Sequence, residues 1–382
     1  MAITPVCITD LTAEQFGELV GSLGEPSYRA KQIEHWVYQR LALSFDEMTD
    51  LPQAFRQRLA QEARLHSLTP VHEVTGRDGT VKTLFALADG RTIESALMSY
   101  PVAGGRPRYT VCLSTQVGCA IGCPFCATGQ QGFERNLTPG EMIDQVLYFA
   151  RRLLGQSDME KSHPSQPVSP ITNLVFMGMG EPLANYDSLW QSVEMLNSPH
   201  GFRLGARNMV ISTAGLVPQI KRLSQEKLQV GLAVSLHASE NALRDRLVPI
   251  NRKYPLEQLI PACQEYFEMT GRRLSFEHVL FDGINDSVTQ ARSLARLLKG
   301  LNCHVNLIPA NKTADQIYRS PPEITVLAFE RELKRLSIAC TLRQPRGLDI
   351  DAGCGQLRSR FGQGGQIQSS PSLLIRGQFC DV

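Results

Sequence analysis

Three cysteines stand within eight residues, Cys119-Ala120-Ile121-Gly122-Cys123-Pro124-Phe125-Cys126. Three thiolates on so short a segment can hold only part of a metal centre. Structural zinc takes four ligands, usually as two separated pairs, and the sequence offers no second pair. A cubane iron–sulfur cluster has four irons, so three cysteines leave one iron without a protein ligand. An open iron can chelate a small molecule. Three incidental buried cysteines are the alternative, and their spacing directly after a predicted strand argues against it.

Other polar segments fall where such a centre could use them. Gly178-Met179-Gly180-Glu181-Pro182 follows a second predicted strand. Glycines there let backbone approach a ligand, and Glu181 can accept from an amino group, although a simple turn has the same pattern. Ser212-Thr213-Ala214-Gly215, Ser235-Leu236-His237 and Pro309-Ala310-Asn311 end three further strands. Each alone could be an ordinary strand-to-helix cap. Together they lie on the carboxyl-terminal edge, where α/β proteins bind their ligands.

The elements that must position these residues read as a βα repetition. Predicted strands span 109–114, 173–177, 208–212, 231–236, 274–281, 303–308 and 338–342. Helical patterns lie between them around 139–154, 187–197, 217–224, 256–269, 287–299 and 322–336. Parallel strands with right-handed crossovers follow, in a barrel or an open sheet; periodicity does not choose between the two. The Ser/Pro-rich stretch 156–170 reads as an excursion, and the Gly/Gln/Ser-rich stretch 362–372 as a mobile tail. Ahead of the repetition, residues 1–72 place Phe16, Val20, Ile33, Val37, Phe55 and Leu59 at helical spacing. Asp89-Gly90 then joins two alternating runs, 81–85 and 91–97, into a hairpin. The expected division is a helical unit over 1–72, a hairpin linker over 73–104, the α/β body over 105–345 and a C-terminal segment over 346–382.

A chain of 382 residues exceeds what one core usually holds, so at least two domains are expected. Hydrophobic content of 42% excludes wholesale disorder, and no apolar run is long enough to span a membrane. Residues 1–10 lack the basic start of a signal peptide, so the cytoplasm is the expected compartment. Ten cysteines in so long a chain suit metal or redox chemistry in a reducing compartment better than a disulfide scaffold. Cys7, Cys263, Cys303, Cys340 and Cys380 match no motif and read as packing. The 39 basic and 37 acidic residues give a net charge of +2. Any nucleic acid must therefore be bound by a local patch rather than by bulk charge. Arg244, Arg246, Arg252 and Lys253 are the candidates for that patch.

The cysteine spacing resembles that of the radical S-adenosylmethionine (SAM) enzymes. In these, an open iron of a [4Fe–4S] cluster binds SAM and passes it an electron, and cleavage gives a 5′-deoxyadenosyl radical. Longer stretches resemble the RlmN/Cfr family of RNA adenine methyltransferases: 111–119, 125–137, 177–183, 234–238, 281–286 and 346–357. The resemblance runs in order over roughly residues 10–360. It implies a partial (βα)6 barrel related to the TIM barrel, with an N-terminal helical RNA-binding unit and the hairpin between them. It further implies a [4Fe–4S] cluster on Cys119, Cys123 and Cys126, and SAM held by Gly180, Glu181, Ser212, Ser235, Leu236, His237 and Asn311.

The family's chemistry gives the remaining residues their expected roles. Carbon 2 of adenine is electron-poor and cannot attack a methyl sulfonium. The family first methylates a cysteine, a step that needs a thiolate, and Cys354 matches that position. A second SAM makes the radical that activates the methyl group for addition to the ring carbon. Glu94 matches the base that removes the carbon's proton; without the resemblance, a lone Glu on a strand reads as a solvated partner of Lys or Arg. Cys112 matches the thiol that releases product through a transient disulfide with Cys354, and an external reductant restores both. The implied partners are 23S rRNA, tRNA and a flavodoxin- or ferredoxin-type electron donor, acting on a monomer with no membrane attachment. The family's C2 branch acts on the adenosine conventionally numbered 2503 in 23S rRNA and on adenosine 37 of some tRNAs. The competing expectations are the Cfr branch, which attacks C8 of the same rRNA adenosine, and a non-catalytic iron–sulfur RNA-binding factor.

Overall fold

The computed structural model describes residues 5–102, 104–156, 170–310 and 317–343. Seven strands pair in parallel in unbroken chain order: β6 (Arg108–Cys112), β9 (Asn173–Phe176), β10 (Met209–Thr213), β11 (Gly231–Ser235), β12 (Leu274–Leu280), β13 (Cys303–Pro309) and β14 (Cys340–Leu342). The crossovers carry α5 (Pro139–Gln156), α6 (Tyr186–Asn197), α7 (Val217–Ser224), α8 (Asn241–Leu247) with α9 (Leu256–Thr270), α10 (Val288–Leu297) and α11 (Glu323–Arg335). Crossovers of one hand between sequential neighbours place every helix on the same side. The sheet therefore curls around its other face. Among the described residues β14 ends the sheet without pairing to close it. A partial (βα)6 barrel results, as the resemblance implies.

The hairpin is larger than expected. β4 (Val81–Leu87) and β5 (Thr92–Tyr100) turn through Gly90 at φ 79°. A third antiparallel strand, β3 (Leu68–Thr75), pairs with β4. β5 also pairs antiparallel with β6, so the three strands extend the barrel sheet instead of linking two bodies. The expected boundary at 72/73 falls inside β3. Strand β3 opens Leu68-Thr69-Pro70, and none of its residues is fully buried, so it lacks a clean alternation to mark it.

The N-terminal helices are α1 (Ala13–Ser22), α2 (Tyr28–Glu34) and α3 (Gln53–Glu62), bracketed by the short parallel pair β1 (Val6–Cys7) and β2 (Ala63–Arg64). Thr12 starts α1 in a reciprocal capping box with Gln15. Phe16, Val20, Ile33, Val37, Phe55 and Leu59 are buried as their spacing predicts. Their core runs without a break into that of the barrel. The reason is visible at the junction: the Gly140 N–H donates to the Asp10 carboxylate at 2.7 Å, and Asp144 on α5 accepts from the Ser67 hydroxyl at 2.6 Å. Among the described residues no helix is long and apolar enough to cross a membrane.

Candidate active site

The cysteine segment hangs between two short strands, β7 (Gln116–Gly118) and β8 (Phe133–Asn136), with α4 (Ala127–Gln130) closing it. Gly118 holds φ at +76°, and a Cβ there would lie 1.9 Å from the Gly132 carbonyl oxygen. That approach lets the Cys119 N–H donate to the same oxygen at 2.8 Å. The Cys126 N–H donates to the Cys123 carbonyl at 3.1 Å, and the Gln130 side-chain amide to the Pro124 carbonyl at 2.6 Å. The loop is thus tied at both ends and across its middle.

Burial pushes the Cys119 thiol up to about 12, with Glu181 and Cys126 adding to the effect, and pushes Cys123 further still. Such thiols ionise only against a strong positive centre. Soft thiolates of this kind suit iron–sulfur chemistry. Among the described residues no three His, Cys, Asp or Glu side chains gather around a point as one metal ion would hold them. In a cubane each thiolate binds its own iron, and three soft donors side by side on one loop, all lining one cavity, fit that set.

The loop forms one wall of a cavity of about 420 Å³, whose lining includes Cys119, Cys123 and Cys126. Gly180, Glu181, Ser212, Ser235 and His237 line it too. With Val279 of β12 and Pro309 of β13 also in the lining, the ends of five strands, β9 to β13, converge where the α/β rule places a ligand. Gly180 sits at φ +105°, and a Cβ on it would meet Gln116 at 2.6 Å. Glu181 is buried, with one oxygen accepting from the Ala214 N–H at 2.7 Å and the other from the Leu183 N–H at 3.1 Å. Burial raises its pKa to about 7. His237 adopts φ 57°, and its Nδ1 accepts from the Val279 N–H at 3.1 Å. The ring proton therefore sits on Nε2, and burial holds the pKa well below the usual range, so the ring is neutral. Its edge meets Phe125 at 5.1 Å. Leu236 is buried in the core and is not among the cavity's lining residues. Asn311, Cys354 and Cys380 lie outside the described residues.

Arg244 corrects the reading of a basic patch. It is fully buried, and its guanidinium donates to the carbonyls of Ala214 at 2.7 Å, Ser235 at 3.1 Å and Leu236 at 3.1 Å, and to Asn251 at 2.9 Å. It braces the ends of β10 and β11 from behind and cannot reach a phosphate. The same helical period that exposes Arg246 turns Arg244 inward. Arg246, Arg252 and Lys253 remain exposed.

Cys112 ends β6, and Glu94 lies on β5 two residues from Ala96, which pairs with Cys112. Neither lines the cavity; they sit beside it. The Cys112 thiol interacts with the Met177 backbone and feels the charge of Arg343, both cavity-lining residues, and burial raises it to about 11. Glu94 is paired as the bland reading expects, but not in solvent: its carboxylate meets the Lys82 ammonium at 2.6 Å, with both side chains buried. Lys82 escaped sequence reading because its strand was read only for alternation. A register counted back from the Asp89-Gly90 turn would have placed it diagonal to Glu94. Phe281, inside the 281–286 stretch, and Tyr318, which the sequence does not mark, also line the cavity; their rings meet Phe125 tilted and edge-on, with centroids 5.1 and 6.2 Å away. Glu277 on β12 was missed as well; it accepts from Asn306 at 2.7 Å and faces Arg343 at 3.5 Å.

The partial barrel and its three-cysteine cavity match the radical SAM class that the cysteine spacing resembles. A solved structure described as a radical SAM methyltransferase from Sphaerobacter thermophilus superimposes with a TM-score of 0.85 at 49% identity, covering 92% of this chain and 99% of that one. Residues 6–65 match the family described as ribosomal RNA large subunit methyltransferase N-terminal domain. A dual-specificity RNA methyltransferase RlmN from Syntrophobacter fumaroxidans is 44% identical over 94% of this chain and 99% of its own length. A probable RlmN from Moorella thermoacetica is 45% identical over 93% and 98%. The chain belongs to the RlmN family of radical SAM RNA methyltransferases.

Proposed function

We propose that the chain methylates carbon 2 of adenine in RNA, at the adenosine conventionally numbered 2503 of 23S rRNA and at adenosine 37 of tRNAs. The observation that carries the methyl-transfer reading is the placement of Cys112 and Glu94 on one sheet face beside the cysteine-lined cavity, while the likeness to RlmN relatives favours C2 over C8. A non-catalytic iron–sulfur protein has no use for that pairing. Cys119, Cys123 and Cys126 would hold a [4Fe–4S] cluster. Gly180, Glu181, Ser212, Ser235, His237 and Asn311 would hold SAM, with Leu236 packed behind them in the core. When bound, the two supply the methyl groups and the one-electron chemistry that an electron-poor carbon requires.

The chain's own residues do the rest. Cys354 accepts the methyl group on its sulfur and carries that carbon to the ring. Glu94 removes the proton from C2. Cys112 then attacks the Cys354 sulfur: the S–S bond forms, the C–S electrons stay with the nucleotide's carbon, and that carbon takes a proton. Both thiols are restored by an external reductant. Phe125, Phe281 and Tyr318 keep water from that side of the cavity. Arg246, Arg252 and Lys253 contact phosphates, and the N-terminal helices grip folded RNA by shape. A flavodoxin- or ferredoxin-type donor supplies electrons to the monomer.

Two variants test the order of events. Cys112→Ala should accumulate RNA joined to the protein through Cys354, visible as a denaturation-resistant band with nucleotide mass. Cys354→Ala should form no such band and take up no methyl group. Normal turnover by Cys112→Ala would remove the resolving thiol from the account.

A further inference from the structure

Ser235, Glu277, Asn306 and Thr341 form one row across β11 to β14, because each pairs with the next in register. Residues in such a row point to one face of the sheet, and Ser235 and Glu277 both line the cavity. Glu277 is buried, with a side-chain exposure of 7%. One of its oxygens accepts from the Asn306 amide at 2.7 Å; among the described residues the other accepts no hydrogen bond. A buried carboxylate oxygen in that state is costly unless a ligand supplies the donor. The same oxygen faces Arg343 at 3.5 Å, whose half-exposed guanidinium also lines the cavity. The Arg343 N–H donates to the Leu307 carbonyl at 2.8 Å, so its side chain leaves a fixed backbone just past β14. Arg343 is in turn the strongest of the charges acting on the Cys112 thiol. Along the wall the order is acceptor, donor, thiol.

From this geometry we infer that Glu277 and Arg343 read the edge of the target adenine in RNA and set its orientation. The inference rests on the function proposed above. Round the rim of adenine the order is the 6-amino group, N1 and C2: a donor, an acceptor and the carbon to be methylated. The free Glu277 oxygen accepts from the amino group, and the Arg343 guanidinium donates to N1. C2 then falls next in line, on the Cys112 side. Enzymes that do chemistry on a base extrude it and read it along this edge. A hydrogen bond to N1 also draws electrons from C2, which makes that carbon a better acceptor. Guanine and hypoxanthine carry an oxygen at position 6 and an N–H at position 1, so both contacts turn repulsive. SAM carries an adenine too, and the two sources of the same edge are separated by their binding.

The test uses the anaerobically reconstituted holoenzyme with SAM, reductant and a 23S rRNA fragment carrying adenosine or inosine at the target position. Both bases keep a hydrogen on C2. The parent should methylate the adenosine fragment about 100-fold more efficiently than the inosine fragment. The Gln side chain of Glu277→Gln donates as well as accepts, so its preference should fall to about tenfold. Arg343→Met neither donates to N1 nor repels an N–H there, so it should narrow the preference as well. Iron content and SAM affinity, the latter read by calorimetry without RNA, should match the parent's in both variants. A parental preference for adenosine in both variants would overturn the inference. So would weakened SAM binding with the preference unchanged, which would assign the pair to the adenine of SAM. A parent that methylates neither fragment would overturn the proposed function and the inference with it, and the failures are separate readouts.

Discussion

Asp144 shows how one residue sets a pH response outside the active site. It is buried on α5, with one oxygen bonded to Ser67 and the other without a hydrogen-bond partner. Burial raises its pKa from 3.8 to about 6. A carboxyl raised in the folded state binds its proton more tightly there than when unfolded. Its contribution to stability is therefore fully present below pH 3.8 and is lost as pH rises through about 6, a change of about 3 kcal/mol. Asp144→Asn keeps an acceptor for Ser67 and removes the buried charge. The variant should melt higher than the parent at pH 8, and the gap should close by pH 4. An equal gap at both pH values would show that this carboxyl does not titrate as its burial requires. Cysteine spacing is legible at this scale, because three thiols at fixed offsets have few uses. The partner of Glu94 is not, since it depends on a strand pairing, and the burial of Arg244 depends on which way a helix faces.

At the scale of elements, the strand ends and their braces decide whether the cavity exists. The seven parallel strands and their helices are legible from periodicity, which switches clearly between two and 3.6 residues. The antiparallel β3 is not, because its faces are neither wholly buried nor wholly wet. Arg244 shows what such reading misses: its neighbours mark a basic loop, while the side chain itself holds three backbone carbonyls. Arg244→Ala leaves those buried carbonyls without their donor. It should cost about 1–3 kcal/mol for each carbonyl left unsatisfied and weaken SAM binding at temperatures where the variant is folded, measured by calorimetry. Unchanged SAM affinity would remove Arg244 from the cavity's support. Gly118→Ala acts on the other wall. Its Cβ would collide with the Gly132 carbonyl, so the β7–β8 pairing must open. The variant should lose iron on anaerobic reconstitution while its far-ultraviolet circular dichroism stays close to the parent's. Full iron loading would show that the loop does not depend on this contact.

Across the whole molecule, one continuous core joins the helical unit to the barrel, and a ten-stranded sheet carries the residues beside the cavity as well as those lining it. Length alone suggested separable domains; the contacts of Asp10 and Ser67 with α5 explain why the helices share the barrel's core. The choice of barrel over open sheet becomes plain only from sequential strand order, which no single segment encodes. On the proposed function, RNA would present its base beside Cys112 and Glu94, next to the cavity. The regiochemistry of methylation tests this most directly. RNA treated with the reconstituted enzyme, SAM and reductant should be digested to nucleosides and resolved by chromatography and mass against authentic standards. The account predicts 2-methyladenosine from 23S rRNA and from tRNA, and its loss in Cys119→Ala, Cys354→Ala and Cys112→Ala proteins. The appearance of 8-methyladenosine instead, or of no methyladenosine with the cluster fully loaded, would contradict it.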